Sequence, residues 1–385
     1  MNFIQSIFIF SFNIYSKKKN ETMKNLKPFE SFDKITENKR NDRGCFIGDF
    51  TIGYTDVVSS KVLDSEVDIL IYVPEDAGMN PLPVIYLLDY DTHFSSVVGM
   101  VDIGYKSGTC PRMIVVGISS VDRVRDLTPN TAIWNIPGHK KQSFSASEKV
   151  GGGSGKFISF IEKELIPKIE KKYNTASYRM LIGHSLGGLL VLEALINHVD
   201  LFTSYVAIDP STWWDNEKYL EKVKEEIPKI NLSNKCFYLG IGNPGSGFDE
   251  IKKSILDLDS AFKKLKDDEF RYRSKYYGDD DHQSVPFPTI YDSIRFFFDF
   301  YKMKLSEKYH NTDSDTYLVN KYKDHFNMVS KKMGYTINPP VDETSNDGLI
   351  GFSKNLKQRG LNKAAESLMK FAKEIKQKKG KNLKS

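Results

Sequence analysis

The sequence predicts an α/β fold: a mostly parallel central sheet with helices on both faces, followed by a small helical extension. Three observations carry this. Short continuous apolar runs such as "PVIYLLD" and "RMIVVGIS" are bounded by Pro, Gly and Asp, as strands buried on both faces are. They alternate with helical segments such as "GKFISFIEKELIPKIEKKY", where Phe157, Ile161, Leu165 and Ile169 fall on one stripe. After about residue 311 the alternation gives way to amphipathic helical stretches alone. Strand–helix–strand units of this kind build a parallel sheet through right-handed crossovers.

In chain order, residues 1–45 are expected to be poorly structured. "FIQSIFIFSFNIYS" is apolar but interrupted, lacks a basic residue before it and a small-residue cleavage site after it, and is too short to span a bilayer. A start at Met23 and a cytoplasmic location follow from that reading; a signal peptide in residues 1–22 with export is the alternative. Residues 46–310 form the α/β domain. "FTIGYTDVVSSKVL" and "EVDILIYVP" are β-rich, and "YRMLIGHS", "FTSYVAID", "KCFYLGIG" and "FRYRSKYYG" read as further strands. Between and after them, "LGGLLVLEALINHV", "NEKYLEKVKEEI", "DEIKKSILDLDSAFKKL" and "TIYDSIRFFFDFY" read as helices. Residues 311–385 form the extension, in which Ala365, Met369 and Ala372 share a stripe that would suit one tetratricopeptide-like hairpin; one such unit does not make a repeat array.

Composition narrows the function classes. Hydrophobic residues at 40% support a packed core, and the formal charge of +5 is mild and has a local source in the lysine-rich tail "KEIKQKKGKNLKS". No basic face interleaved with aromatics points to nucleic acid, and no segment points to a membrane. The three cysteines, Cys45, Cys110 and Cys236, are far apart and form no CxxC, so neither a metal site nor a disulfide framework is indicated.

Gly183-His184-Ser185-Leu186-Gly187 matches G-x-S-x-G directly after a strand and directly before a helix. Such a turn holds its serine in a strained conformation, exposed at the strand end over a helix N-terminus that favours negative charge. Ser185 is therefore the candidate nucleophile. A base must follow it, and four histidines do: His198, His282, His310 and His325. His198 ends the helix leaving the elbow, and His310 and His325 lie in the charged C-terminal region. His282 follows the last strand, where the base belongs. The acid is expected after the preceding strand, at Asp249 in "NPGSGFDE"; Glu250, Asp280, Asp281 or a Ser–His dyad are alternatives. Backbone N–H groups of Leu186 and of Tyr90 or Asp91 are the expected oxyanion donors.

The ordered strings "PVIYLLDYDTHF", "MIVVGISSVDRVRDLTP", "GKFISFIEKELIPKIEKKY", "LIGHSLGGLL", "YVAIDPSTWWDN" and "YYGDDDHQSVPFPTIYDSIRFFF" resemble the putative esterase family of α/β-hydrolases. That family includes siderophore esterases, feruloyl esterases and S-formylglutathione hydrolase-like enzymes, and the siderophore-esterase branch is nearest. The resemblance covers about residues 50 to 305. It implies an α/β-hydrolase fold, Ser185 as nucleophile and His282 as base. Two departures stand out: Tyr90 replaces a glycine that relatives often carry after "LLD", and "GNPG" replaces an acidic residue that many carry after the sixth strand.

The expected function is a serine hydrolase that cleaves carboxylic esters through an acyl-enzyme, acts on a small-molecule ester and needs neither cofactor nor metal. His184, Trp213 and Trp214 are candidate pocket residues. An Arg–Asp pair among Arg123, Arg125 and Asp126 would fix a strand-end loop, and the Gly- and Ser-rich stretch 130–155 would cover the site. A non-catalytic binding protein on the same fold and an acyltransferase using the same serine are the rivals. "GIGNPG" at 240–245 formally matches a dinucleotide fingerprint. It lies late in the sheet, lacks the acid at the end of the next strand, and loses an N–H to Pro244.

Overall fold

In the computed structural model, the described residues are 39–40, 46–47, 52–74, 80–137, 148–303, 316–343, 345 and 348–382. The expectations for residues 1–22, Met23, Cys45 and His310, and the centre of the covering stretch (138–147), lie outside them. The chain divides into two compact units, residues 1–51 and 52–385. In the first, β1 (Lys39–Arg40) pairs antiparallel with β2 (Phe46–Ile47).

The second unit is built on eight strands. In chain order they are β3 (Tyr54–Ser60), β4 (Ser65–Tyr72), β5 (Leu82–Leu88), β6 (Ile114–Ile118), β9 (Thr175–His184), β10 (Ser204–Ile208), β11 (Cys236–Ile241) and β12 (Arg271–Tyr276). A separate antiparallel pair joins β7 (Thr131–Ile133) to β8 (Lys149–Gly151). The sheet order is β12-β11-β10-β9-β5-β6-β4-β3. From β6 to β12 every pairing is parallel, and β4 runs antiparallel to both neighbours.

The helices are α1 (Tyr90–Lys106), α2 (Arg123–Leu127), α3 (Ser154–Phe160), α4 (Ile166–Lys172), α5 (Leu186–Asn197), α6 (Lys218–Glu226), α7 (Asp249–Lys263), α8 (Pro286–Phe297), α9 (Tyr317–Met333), α10 (Leu349–Gln358) and α11 (Asn362–Asn382). A π-helical turn, Ile161–Leu165, joins α3 to α4. Pro167 explains it: its ring excludes a regular α-helical bond to the preceding turn, and a wider turn absorbs the mismatch. The apolar stripe survives, with Phe157, Ile161, Leu165 and Ile169 all fully buried.

Strands β5 and β6 are apolar and buried at every position because both faces are covered. Along β5, Val84, Tyr86 and Leu88 enter one core with α3–α7, while Ile85 and Leu87 enter the other with α1 and α8. This is the period-two alternation of a strand, with apolar residues on both sides. Helices α9–α11 pack on the second face: Phe326, Leu356 and Leu368 share its core with Val97 and Met180. The C-terminal stretch thus belongs to the same compact unit as the sheet, and α10 packs against α11 there. Polar contacts tie the segment between α9 and α10 to the residues just before β5. Asn338 donates its backbone N–H to Asn80 Oδ1 (2.9 Å), and Asn80 Nδ2 donates back to the Asn338 carbonyl (3.1 Å).

Candidate active site

Ser185 lies between β9 and α5 with φ 59° and ψ −116°, a region that costs an L residue about 1–3 kcal/mol. Surrounding contacts hold it there. Its N–H donates to the Ile208 carbonyl (2.9 Å), and its carbonyl accepts from Gly188 (3.0 Å) and Ser211 (3.1 Å). A side chain on Gly183 would overlap the Gly187 backbone, and a Cβ on Gly188 would lie 2.7 Å from Pro210 Cβ. The local sequence therefore dictates the turn, and the next strand locks it.

Parallel register decides what faces the serine. His184 pairs with Ile208, and Ile208 with Gly240. Asp209, one residue beyond Ile208, is consequently the lateral neighbour of Ser185. Its carboxylate is buried, 3% exposed, and both oxygens are engaged. Oδ1 accepts from the Gly242 N–H (3.0 Å), and Oδ2 lies 2.5 Å from His282 Nδ1. The loop bearing His282 is fixed in turn: Asn243 donates to the Asp280 carbonyl (2.7 Å), and the Asp281 carboxylate accepts from the N–H groups of Gln283 and Ser284 (both 2.9 Å). Those backbone bonds hold the Asp281 carboxyl below its usual range.

The expected acid is therefore corrected. Asp249 is the exposed first residue of α7, beside Glu250, where an acidic side chain favours the helix N-terminus. Asp281 caps a turn and Asp280 accepts from the Ser284 hydroxyl (2.9 Å). The carboxylate that meets His282 belongs to Asp209. A signal for it existed. Asp209 stands directly after a continuous apolar strand, the same position relative to "SYVAI" that Ser185 holds relative to "MLIGH". Among the other histidines, His198 follows α5 as its cap and His325 Nε2 meets the Tyr301 carbonyl (2.9 Å).

The pocket expectations are also revised. Trp214 is fully buried and donates from Nε1 to the Asn130 carbonyl (3.1 Å), so it is core rather than a wall open to ligand. Trp213 is 8% exposed, and Trp134 meets both rings edge-on at 5.9 and 5.8 Å. The His184 ring backs onto His282 (centroids 4.5 Å apart) and approaches His93 (6.1 Å), with Nε2 buried and unpartnered among the described residues. Burial, together with the positive potential of His282, His93 and Arg123, holds its pKa well below the ordinary histidine value. His184 thus packs behind the His282 ring, where burial disfavours its charged form.

Tyr90 and Asp91 open α1, as Leu186 opens α5. Asp89, left-handed at φ 50°, precedes α1 without a side-chain cap bond, and its Oδ2 is 3.4 Å from where a Gly187 Cβ would stand. The two helix starts therefore lie side by side, each with backbone N–H groups lacking intrahelical partners. Arg123 neutralises Asp89 through two bonds of 2.8 Å, Nε to Oδ1 and Nη2 to Oδ2. The loop-fixing Arg–Asp pair is present as well: Arg125 Nε meets the buried Asp126 at 2.7 Å.

Among the described residues, no group of three His, Cys, Asp or Glu could hold a metal, and no helix is long and apolar enough to cross a membrane.

A mostly parallel sheet with helices on both faces and a serine on a strand–turn–helix elbow defines a protein of the α/β-hydrolase type. The chain belongs to the family described as Putative esterase, whose model matches residues 60–283. It is similar to the ferri-bacillibactin esterase BesA of Bacillus subtilis, 35% identical over 173 residues (42% of this chain, 58% of the relative). It is also similar to the siderophore triacetylfusarinine C esterase of Aspergillus fumigatus, 28% identical over 175 residues (42% and 54%). The match thus spans a little over half the length of these curated relatives. Among solved structures, an IroE-like serine hydrolase from Shewanella oneidensis superposes with TM-score 0.68 at 28% identity, covering 84% of this chain and 99% of that one. The BES protein of Bacillus cereus superposes with TM-score 0.55 at 25% identity (65% and 97%).

Proposed function

We propose that this chain is a serine carboxylic ester hydrolase with Ser185 as nucleophile, His282 as general base and Asp209 as the orienting acid. The observation that carries this reading is the Asp209–His282 pair at 2.5 Å, set at the strand ends beside the strained elbow. With Nδ1 committed to the buried carboxylate, the imidazole presents Nε2 as the acceptor for the serine proton. Ser185 attacks the ester carbonyl, its proton passes to His282, and the alcohol leaves with that proton. Water then releases the acid by the same steps in reverse order.

The tetrahedral oxyanion would be held by the N–H of Leu186 and that of Tyr90 or Asp91, supported by two neighbouring helix N-termini. Arg123 keeps the Asp89 carboxylate from opposing that negative charge. For the substrate, the named relatives point to a siderophore ester.

The test is hydrolysis of p-nitrophenyl esters and of a ferri-siderophore trilactone by purified wild type beside Ser185→Ala. Turnover in wild type and a loss of about 10³-fold or more in the variant is expected. Equal turnover in both would overturn the serine mechanism. Turnover of aryl esters with an intact trilactone would overturn the substrate class alone.

A further inference from the structure

We propose that Ser211 is a second catalytic hydroxyl, donating a hydrogen bond to the Ser185 oxygen while that oxygen carries developing negative charge. The proposal rests on the ester-hydrolase reading above. Ser211 Oγ lies 3.2 Å from Ser185 Oγ, and Ser211 is 2% exposed. Its backbone is locked to the elbow by the bond from its N–H to the Ser185 carbonyl (3.1 Å) and to the core by the Trp214 N–H on its own carbonyl (2.9 Å). The hydroxyl is therefore held against the nucleophile by a rigid turn.

Counting protons assigns the direction of the bond. A serine hydroxyl has one proton to give and two lone pairs to receive with. If Ser185 gives its proton to Ser211, it has none for His282 and the site is idle. If Ser185 gives its proton to His282, the bond to Ser211 persists only with Ser211 as donor. During attack, an electron pair of Ser185 Oγ forms the C–O bond, the carbonyl π pair moves to the oxyanion, and the Ser185 proton passes to His282. The Ser211 proton stays on Ser211 throughout. When the acyl-enzyme collapses after water attack, the C–O bond pair returns to Ser185 Oγ and His282 returns its proton. Negative charge builds on Ser185 Oγ where its proton leaves for His282 ahead of C–O bond formation, and again where the C–O bond breaks ahead of the proton's return; a charged acceptor roughly doubles the hydrogen bond from Ser211. An interaction stronger in the transition state than in the ground state raises kcat.

One segment, Asp209-Pro210-Ser211, would thus serve both ends of the relay: the carboxylate behind His282 and the hydroxyl behind Ser185.

The experiment measures burst and steady-state kinetics on p-nitrophenyl acetate for wild type, Ser211→Ala, Ser211→Cys and Ser211→Thr, each checked for an unchanged melting temperature. Ser211→Ala and Ser211→Cys are expected to slow acylation and deacylation alike, by about 10- to 100-fold in kcat with KM little changed. Ser211→Thr, which keeps the donor, is expected to recover most of the loss. Ser211→Cys fills the space and leaves only a weak donor, so it separates a weakened hydrogen bond from a cavity. A kcat within twofold of wild type in Ser211→Ala would overturn the proposal, as would full activity in Ser211→Cys or a loss confined to KM. If wild type and Ser185→Ala turn over equally, the ester-hydrolase reading itself falls. If Ser185→Ala is dead and Ser211→Ala is unchanged, only the role of Ser211 falls.

Discussion

The loops that follow β10 and β11 leave neighbouring parallel strands at the same edge of the sheet, and each brings an aspartate. The first, from Asp209, is tightly bound. Asp209 is left-handed at φ 42°, and Asp215, Asn216 and Glu217 run left-handed in succession. Thr212 and Ser254 share a buried hydroxyl contact (2.6 Å), and Trp214 anchors the turn in the core. The second loop, Gly242 to Phe248, is largely exposed, with Gly245 and Gly247 at positive φ and open space around them. Its aspartate, Asp249, faces solvent at a helix start. A buried, doubly bonded carboxylate can orient an imidazole because it has no other conformation to adopt. An exposed one loses rotamer freedom and competes with water for every contact.

The largest effect should come from the rigid loop. Asp209→Asn keeps the shape but removes the charge that fixes the imidazole tautomer, and kcat on a p-nitrophenyl ester should fall about 10³- to 10⁴-fold. A loss under tenfold would mean that a Ser–His dyad suffices and that the comparison concerns stability alone.

A third loop, after β5, tests whether charge pairing matters at this edge generally. Arg123→Gln leaves the Asp89 carboxylate unneutralised beside the elbow, and kcat should fall about tenfold. Adding Asp89→Asn should restore most of that loss, and failure to restore it would assign Arg123 another role. The pair is partly exposed, so its effect on stability should stay near about 1 kcal/mol.

His184 supplies a pH signature for the same rigid edge. Its folded pKa is depressed, with burial as the leading cause and His282, His93 and Arg123 adding to it. The unfolded chain therefore binds a proton that the folded one refuses. Stability is then full above the unfolded value near 6.5 and is lost as pH falls below it. Melting temperatures at pH 7.5 and 5.5 should differ more in wild type than in His184→Gln; an unchanged difference would remove His184 as the source.

The smallest effect belongs to the open loop. Asp249→Ala should leave kcat within twofold and cost about 0.5 kcal/mol or less as a helix-start charge. A loss near that of Asp209→Asn would return the acid to Asp249 and break the comparison.

Contiguous residues determined much of this protein. The apolar runs "PVIYLL", "RMIVVGI" and "MLIG" needed only their own composition to declare strands covered on both faces. The elbow "GHSLGG" needed only adjacent glycines to make a strained turn, because every atom that shapes it lies within six residues or directly against them. The position of His282 after the last strand was legible. The carboxylate that meets it was not, because its identity depends on which strand lies beside β9 and in which register. Asp209 and His282 are 73 residues apart and meet only when β9, β10 and β11 pair as they do. Trp214, too, looked like a pocket wall in the sequence and is core, since its surroundings come from Asn130 and Trp134 far along the chain. Local sequence set the conformation of single turns, while tertiary pairing alone decided which turns face one another and therefore which carboxylate holds the imidazole.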